Sequence, residues 1–547
     1  MKNKKTISKL IAAAAITVAF ISSGFAQSNL GADCGCPPVA SRTTVVLMSS
    51  LALSGGATDG DLIAANTILT CDKMWILDKK IYVPDGKSLT IQPGTVIKGN
   101  DTITIPANAA ALIVTRGGKI FANGTPTCQI VFTAQSDNLA GGYGVANRGK
   151  WGGVCILGKS INNILPCNAF YGGSAGTAFI EGFSAANARD IYGGTDADDN
   201  SGIFRYVSIR HSGAIIATAN ELNGLSLGSV GRGTTIDHIE IISSDDDGIE
   251  VFGGTVNMKY VTTMFGADDG IDWDLGWTGK VQFAFNFQTD SITSPTGDNG
   301  FEADADDNKS MALPRSHPVI YNATMIGSGK RLNVGDNSGH NAINAKELTE
   351  GEIYNSVFGN FNHGLNLAKA NGSAGTCGTY TSNAYANWIA GTLRVECNTF
   401  YMMNDATNAQ YLVIDNAVGG VLAGDITKFD GDNNLHPAGA APISGFDHTL
   451  SMNTSTNAII GGDKFDAIPN PALSTTCTPP SDGFFQSAPY RGAFNTSGQS
   501  WLSPWAYATV LGVTAGLQPC PTDINADGVT NNADFLLLLA NFNASCN

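Results

Sequence analysis

Between about residues 75 and 425 the chain consists of short apolar, β-branched runs separated by Gly, Asn and Asp, with almost no helical period. Runs at 80–83, 88–92, 111–115, 129–133 and 204–209 are typical. Strands this short and this numerous predict an all-β chain. A sandwich closes after about 100 residues, whereas turn signals here continue for more than 300. Repetition along one axis fits better.

The repeat becomes visible on aligning glycines. Asn223-Gly224-Leu225, Asp247-Gly248-Ile249, Asp269-Gly270-Ile271, Asn299-Gly300-Phe301 and His363-Gly364-Leu365 superimpose, and the first three glycine-to-glycine steps are 24, 22 and 30 residues. The shortest step holds three short strands and three turns, one coil of a solenoid whose neighbours stack at the ~4.8 Å strand spacing. Alternation after the glycine points Ile249, Ile271, Phe301 and Leu365 inward, and Glu250, Asp272, Glu302 and Asn366 outward. Longer steps imply loops inserted at a turn.

Composition narrows the class. Of 547 residues, 14% are charged, 43% hydrophobic and 65 are Gly, which excludes a disordered chain and a coiled coil. Lys and Arg number 31 against 47 Asp and Glu, a net charge of −16, which argues against a nucleic-acid partner.

Lys2, Lys4, Lys5 and Lys9 precede an apolar run at 10–21, and Gly24-Phe25-Ala26 offers small residues to a signal peptidase. This predicts a signal peptide over 1–26. The apolar run is 12 residues, short of the roughly 20 that a spanning helix needs. The mature chain would have 547 − 26 = 521 residues, be secreted or at the outer cell surface, and lack a membrane span. All 11 Cys fall within it, and the odd number leaves one thiol over. The others are expected to pair in an oxidising compartment. Cys377 with Cys397, bracketing a Gly/Ser/Asn-rich insertion, is one expected pair.

Five stretches carry a family likeness: LTIQPGTVIKG (89–99), GKIFANGTPTCQIVFTA (118–134), GKWGGVCILGK (149–159), DDGIEVFGGTVNMKY (246–260) and YRGAF (490–494). With them the chain resembles right-handed parallel β-helix proteins of the pectin-lyase-like superfold, in particular a group of secreted bacterial ones. The resemblance spans roughly 70–510 and implies the scaffold rather than an activity, because β-helices carry lyases, hydrolases and adhesins alike. The expected organisation is a signal peptide at 1–26, an N-terminal segment and cap at 27–70, a β-helix at 71–426, a C-terminal cap at 427–515 and a small module at 516–547. Phe484, Phe485, Trp501 and Trp505 are expected to close the open edge of the last coil.

Oxygen donors recur in that last module. Asp523, Asn525, Asp527, Asn531 and Asp534 hold positions 1, 3, 5, 9 and 12 of a twelve-residue loop, with Gly528 at 6 and the Val529 carbonyl at 7. Calcium takes six to eight hard oxygen ligands in such a flexible loop, so Ca2+ is the expected metal. The apolar run 535–542 predicts a short helix directly after it. Loop and helix resemble one half of a dockerin, an EF-hand-like unit, with Asp at position 12. Only one half is visible, which argues against cohesin docking. A disulfide between Cys520 and Cys546 would clamp this unit of about 27 residues, which is too small to bury its own core.

Stacking the coils also aligns carboxylates. Asp246, Asp268 and Asp298 form one column, Asp247 and Asp269 a second, and Glu250, Asp272 and Glu302 a third, with Asp274 and Asp304 nearby. Screening, a cation, basic neighbours or raised pKa values must offset their repulsion. Three readings stand open. The side chains form an Asx ladder that satisfies turn backbone. Alternatively Asp247, Glu250, Asp269, Asp272, Asp274, Glu302 and Asp304 form a calcium- or sugar-binding face. In the third, Asp246, Asp247, Asp268 and Asp269 work as acid and base on a polysaccharide.

Neither a Gly-His-Gly nor an Arg-x-Lys follows the aspartates, as in β-helix polygalacturonases, and H-E-x-x-H is absent. Lys259, Lys280, Arg210, His211 and His238 lie near these coils in sequence without forming a lyase motif. A non-catalytic surface protein that binds glycans is favoured. A polysaccharide lyase or glycoside hydrolase using the stacked carboxylates is the alternative.

Overall fold

The computed structural model describes residues 30–511 apart from the stretches 52–60, 103–107, 168–174, 181–182, 184–186, 218–219, 289–297, 306–310, 329–339, 370–376, 378–381, 402, 404–410, 416–419, 437–449, 453–458, 463–476 and 496–499. The expected signal peptide, the expected calcium loop at 523–534 with its six candidate ligands, and the expected Cys520/Cys546 pair lie outside the described residues.

Parallel pairing sets like residues on like. Ile81, Leu112, Val154, Leu225, Ile249, Ile271, Phe301, Ile343, Leu365 and Leu412 are consecutive partners along one sheet. All but Leu412 are at most 1% exposed. Successive coils place such residues one above another, so the core is continuous along the axis. The result is a parallel β-helix of a 16-stranded and an 11-stranded sheet with few helices. The inward and outward assignments made from the glycine register hold: Glu250, Asp272 and Glu302 are register partners on the half-buried outer side.

One coil escapes the glycine pattern. Asn341–Ala345 pairs between Phe301–Ala303 and His363–Ala368, with Ala342 in the glycine place. A Cβ on Gly248 would lie 2.4 Å from Thr263 Cγ2 and 2.7 Å from the Gly270 carbonyl oxygen. Close approach between coils, without a positive φ, explains that glycine. The ladder also starts earlier than residue 71: Val45–Leu47 already pairs with Met74–Leu77.

The third wall arises by bending. The first half of Gly202–Arg210 pairs with Lys119–Asn123 and its second half with Ile130–Ala134. Tyr206 between the halves has φ 48°. The same corner recurs at His238, Tyr260, Phe283, Asn322, Asn355 and Cys397, all left-handed with φ between 51° and 63°. Such a conformation costs a side-chain-bearing residue roughly 1–2 kcal/mol. Ring stacking offsets it: Tyr206 to His238 and His238 to Tyr260 are each 4.3 Å between centroids, and Tyr260 to Phe283 is 5.0 Å.

Residues 477–495 and 500–511 run back along this corner as a strap. Cys477 is disulfide-bonded to Cys397, and its carbonyl accepts from Asn355 Nδ2 at 2.6 Å. The Tyr490 carbonyl accepts from Asn322 Nδ2 at 2.8 Å. Trp501 packs on Tyr260 at 5.5 Å, and Trp505 packs edge-on to Tyr206 at 5.6 Å. Phe485 lies against Tyr321, and Phe484 against Lys259. These four aromatics therefore cover a flank and not the last coil. The end of the solenoid is covered instead by the helices Ala384–Ala390 and Ala423–Gly431, which bury Trp388 and Phe429. Phe429 meets Phe400 and Tyr411 at 5.2 and 5.4 Å.

Disulfides join Cys34 to Cys128, Cys36 to Cys71, Cys167 to Cys377 and Cys397 to Cys477. The expected Cys377–Cys397 pair is thus replaced by two long-range bonds. Sequence proximity misled because each bond ties a loop or the strap to a distant coil. Among the described residues Cys155, buried in a strand, is the free thiol.

The strap ends on a buried ion pair. Glu240, fully buried, accepts from the Tyr507 and Ala508 amides at 2.7 and 3.3 Å. Arg210 lies 3.8 Å from Glu240 and stacks over the Tyr507 ring at 3.9 Å. Removing one member leaves the other charge buried, which costs about 3–5 kcal/mol. Glu240→Ala is expected to lower unfolding free energy by that amount in urea denaturation; a loss below about 1 kcal/mol, the scale of an exposed pair, would contradict the fastening.

Candidate functional site: the acidic corner

The carboxylates sit at the turn between the two large sheets. Thr235–Ile242 and Asn257–Met264 run into this turn, and Ile249–Gly254 and Ile271–Asp274 run out of it. In the coils of Gly248, Gly270 and Gly300 an Asx residue precedes the glycine, and its side chain bonds to the next coil. Asp247 Oδ1 accepts from the Asp269 amide at 2.9 Å, Asp269 Oδ1 from the Asn299 amide at 2.5 Å, and Asn299 Oδ1 from the Asn341 amide at 3.0 Å. His363 Nδ1 lies 2.9 Å from Asn341 Oδ1 and continues the line. This is an Asx ladder. Asp247 and Asp269 are 6% and 3% exposed, and each has one oxygen committed to backbone.

Flanking columns surround the ladder. Asp246, Asp247 and Asp268 bring carboxylate oxygens within 4.8 Å of one another, as do Asp247, Glu250 and Asp272, and Asp268, Asp269 and Asp298. At that distance two full charges repel by about 1 kcal/mol in water and 3–4 kcal/mol at an effective dielectric of 20. Protonation or a cation must relieve this.

The titration behaviour reflects it. Burial, then the Asp246 and Asp269 charges, pushes the Asp247 carboxyl well above its usual range. Burial and the Asp268 and Asp298 charges do the same to Asp269. Asp268 is raised to about 6, first by desolvation and then by Asp298, although its outer edge is open to solvent. Asp245 is raised by burial, against the pull of Arg148 and Lys150.

The outer column is partly neutralised. Lys346 pairs with Glu302 and lies 3.6 Å from Asp304, and Asn299 Nδ2 donates to Glu302 at 2.9 Å. Asp274 accepts from the Leu275 amide at 2.5 Å. Lys346 and Asn341 escaped notice in the sequence because their coil lacks the glycine.

The basic residues near these coils in sequence lie elsewhere in space. Lys259 and Lys280 bond to the strap at the Phe484 carbonyl and Asp482, and His238 stacks in the corner column. His211 is buried against the Asn147 carbonyl at 2.7 Å, and its pKa falls to about 4 through desolvation. The structure thus brings together the carboxylates and leaves out those five basic residues.

Stacked parallel coils with a carboxylate-rich corner define the class as a parallel β-helix. A family model described as a pectate-lyase-like β-helix domain matches residues 60–423, and the chain belongs to that family. No curated protein and no solved structure matches it.

For carboxyls raised in the folded state, the native protein holds more protons than the unfolded chain, so stability falls as pH rises. The affected window opens near the ordinary value of 3.8 and extends through about 6 for Asp268, and the raised Asp247 and Asp269 carboxyls add to the fall in the same direction. Thermal denaturation in chelator from pH 4 to 8 is expected to show a falling melting temperature, and Asp247→Asn, which keeps the acceptor oxygen and removes the charge, to flatten the fall. A wild-type curve that rises over this range would contradict the assignment.

Proposed function

We propose that the protein is an extracellular, non-catalytic β-helix that binds glycans through divalent cations at the acidic corner. The observation that carries this reading is the commitment of Asp247 and Asp269 to backbone amides of the next coil. Two of the four candidate acid/base residues are thereby structural. What remains outward, Asp246, Asp268, Glu250 and Asp272, suits a hard cation, which takes oxygen ligands in irregular number. A bound cation would draw the raised pKa values down and present open coordination positions to sugar hydroxyls or carboxylates.

Four disulfides agree with an oxidising compartment, and among the described residues no helix is long and apolar enough to cross a membrane. In this reading the leader over 1–26 exports the chain. The Asp523–Asp534 loop would bind a separate Ca2+ in a C-terminal module fastened by Cys520 and Cys546.

A lyase or hydrolase is the second reading. Asp268, outward-facing with a pKa of about 6 beside Asp298, is the carboxyl suited to donate a proton near neutrality.

Calcium titration with thermal readout is expected to raise the melting temperature at pH 7. Asp268→Asn and Asp527→Ala should each remove a different fraction of the bound ions. Unchanged stoichiometry in both variants would refute both metal sites. On a panel of neutral and acidic polysaccharides no reducing sugar or unsaturated uronide should appear; product that disappears in Asp268→Asn would establish the enzymatic reading.

A further inference from the structure

Where the strap crosses the flank it leaves a cleft. A cavity of about 280 Å³ lies between residues 483–486 and the outer side of Thr235–Ile242 and Asn257–Met264. It is at the small end of ligand pockets, which run from about 300 to 1,000 Å³, and holds one substituted ring rather than a chain. Arg232, Asn257, Lys259, Tyr260, Phe484 and Gln486 line it.

Its donors are fixed in place and partly unspent. Lys259 donates to the Phe484 carbonyl with its ammonium 4.6 Å from that ring's centroid. Arg232 engages only through Nε, 3.0 Å from Asp198 and 3.3 Å from the Ala197 carbonyl. Among the described residues its two Nη groups have no partner. Gln486 accepts the Tyr260 hydroxyl at 2.9 Å through Oε1, which orients its amide nitrogen as a further donor. The one carboxylate on the wall, Asp237, is occupied by Arg205 at 3.4 Å and by His238.

A guanidinium with both Nη groups available matches a planar or tetrahedral oxyanion in two-point fashion. The faces of Tyr260 and Phe484 offer apolar surface beside it. On a chain of net charge −16, long-range electrostatics repels anions, so recognition must be local and short-ranged. We propose that this strap-roofed cleft binds a single sugar ring carrying a sulfate or carboxylate group. The oxyanion sits on Arg232, with Lys259 close by, and the ring lies against Phe484 and Tyr260.

The proposal takes its ligand class from the glycan-binding reading, while its geometry owes nothing to the acidic corner. The two places lie at opposite ends of the strand Thr235–Ile242.

Isothermal titration of the full chain at low ionic strength, with glucose 6-sulfate and with glucose, tests it. Glucose 6-sulfate is expected to bind saturably, glucose at least tenfold more weakly. Arg232→Gln and Phe484→Ala should each weaken the sulfate at least tenfold, and Asp268→Asn should leave it unchanged. Arg232 is a half-exposed side chain, so its variant decides the outcome if Phe484→Ala lowers the melting temperature. Glucose binding as tightly as the sulfate, no saturable binding, or wild-type affinity in Arg232→Gln would overturn the proposal. Binding lost in Asp268→Asn but kept in Arg232→Gln would also overturn it, while leaving glycan binding at the acidic corner standing.

Discussion

In the stacked coils of this molecule a wall side chain has its structural equivalent one strand spacing above and below. Parallel pairing without register shifts imposes that constraint, and the chemistry of each position follows from whether its residue tolerates stacking on itself. Apolar residues do so at a gain, and the Ile81-to-Leu412 column is the outcome. Aromatics do so at the left-handed corner, where ring contacts at 4.3–5.0 Å compensate the backbone. Asx residues do so by passing hydrogen bonds from coil to coil. Carboxylates alone stack at a cost, and they are the feature that calls for a functional explanation.

The strap follows from the same constraint. A column of Tyr, His, Tyr and Phe on the outside of a solenoid is an apolar stripe that solvent disfavours. Trp501 and Trp505 cover it, Asn322 and Asn355 bond to the strap backbone, and Cys397 binds its start covalently. The tail therefore returns over coils made much earlier in the chain, and its last short helix rests on Glu240. One consequence is that the strap makes a wall which the solenoid alone lacks, and the Arg232–Phe484 cleft is formed between the two.

Much of the architecture was legible in the sequence because the repeat is periodic: Gly224, Gly248, Gly270 and Gly300 mark coils, and alternation after them separates core from surface. Three things were not. The Asn341–Ala345 coil hides behind Ala342 in the glycine place. The disulfide partners and the strap contacts depend on distant loops meeting, which no local pattern encodes. Similarly, the three acidic columns could be aligned from the sequence, but whether Asp247 turned its oxygen to solvent or to the Asp269 amide depended on turn geometry. The bland and the functional readings of those aspartates therefore looked alike until the hydrogen bonds were placed, which make the inner column structural.

The central claim is that Asp247 serves as a backbone acceptor, with its charge dispensable. Hydrogen exchange of the peptide containing the Asp269 amide tests it most directly, compared among wild type, Asp247→Asn and Asp247→Ala. The account predicts near wild-type protection in the Asn variant, whose amide oxygen still accepts, and markedly faster exchange in the Ala variant. Equal protection in all three, or Asn exchanging as fast as Ala, would contradict it.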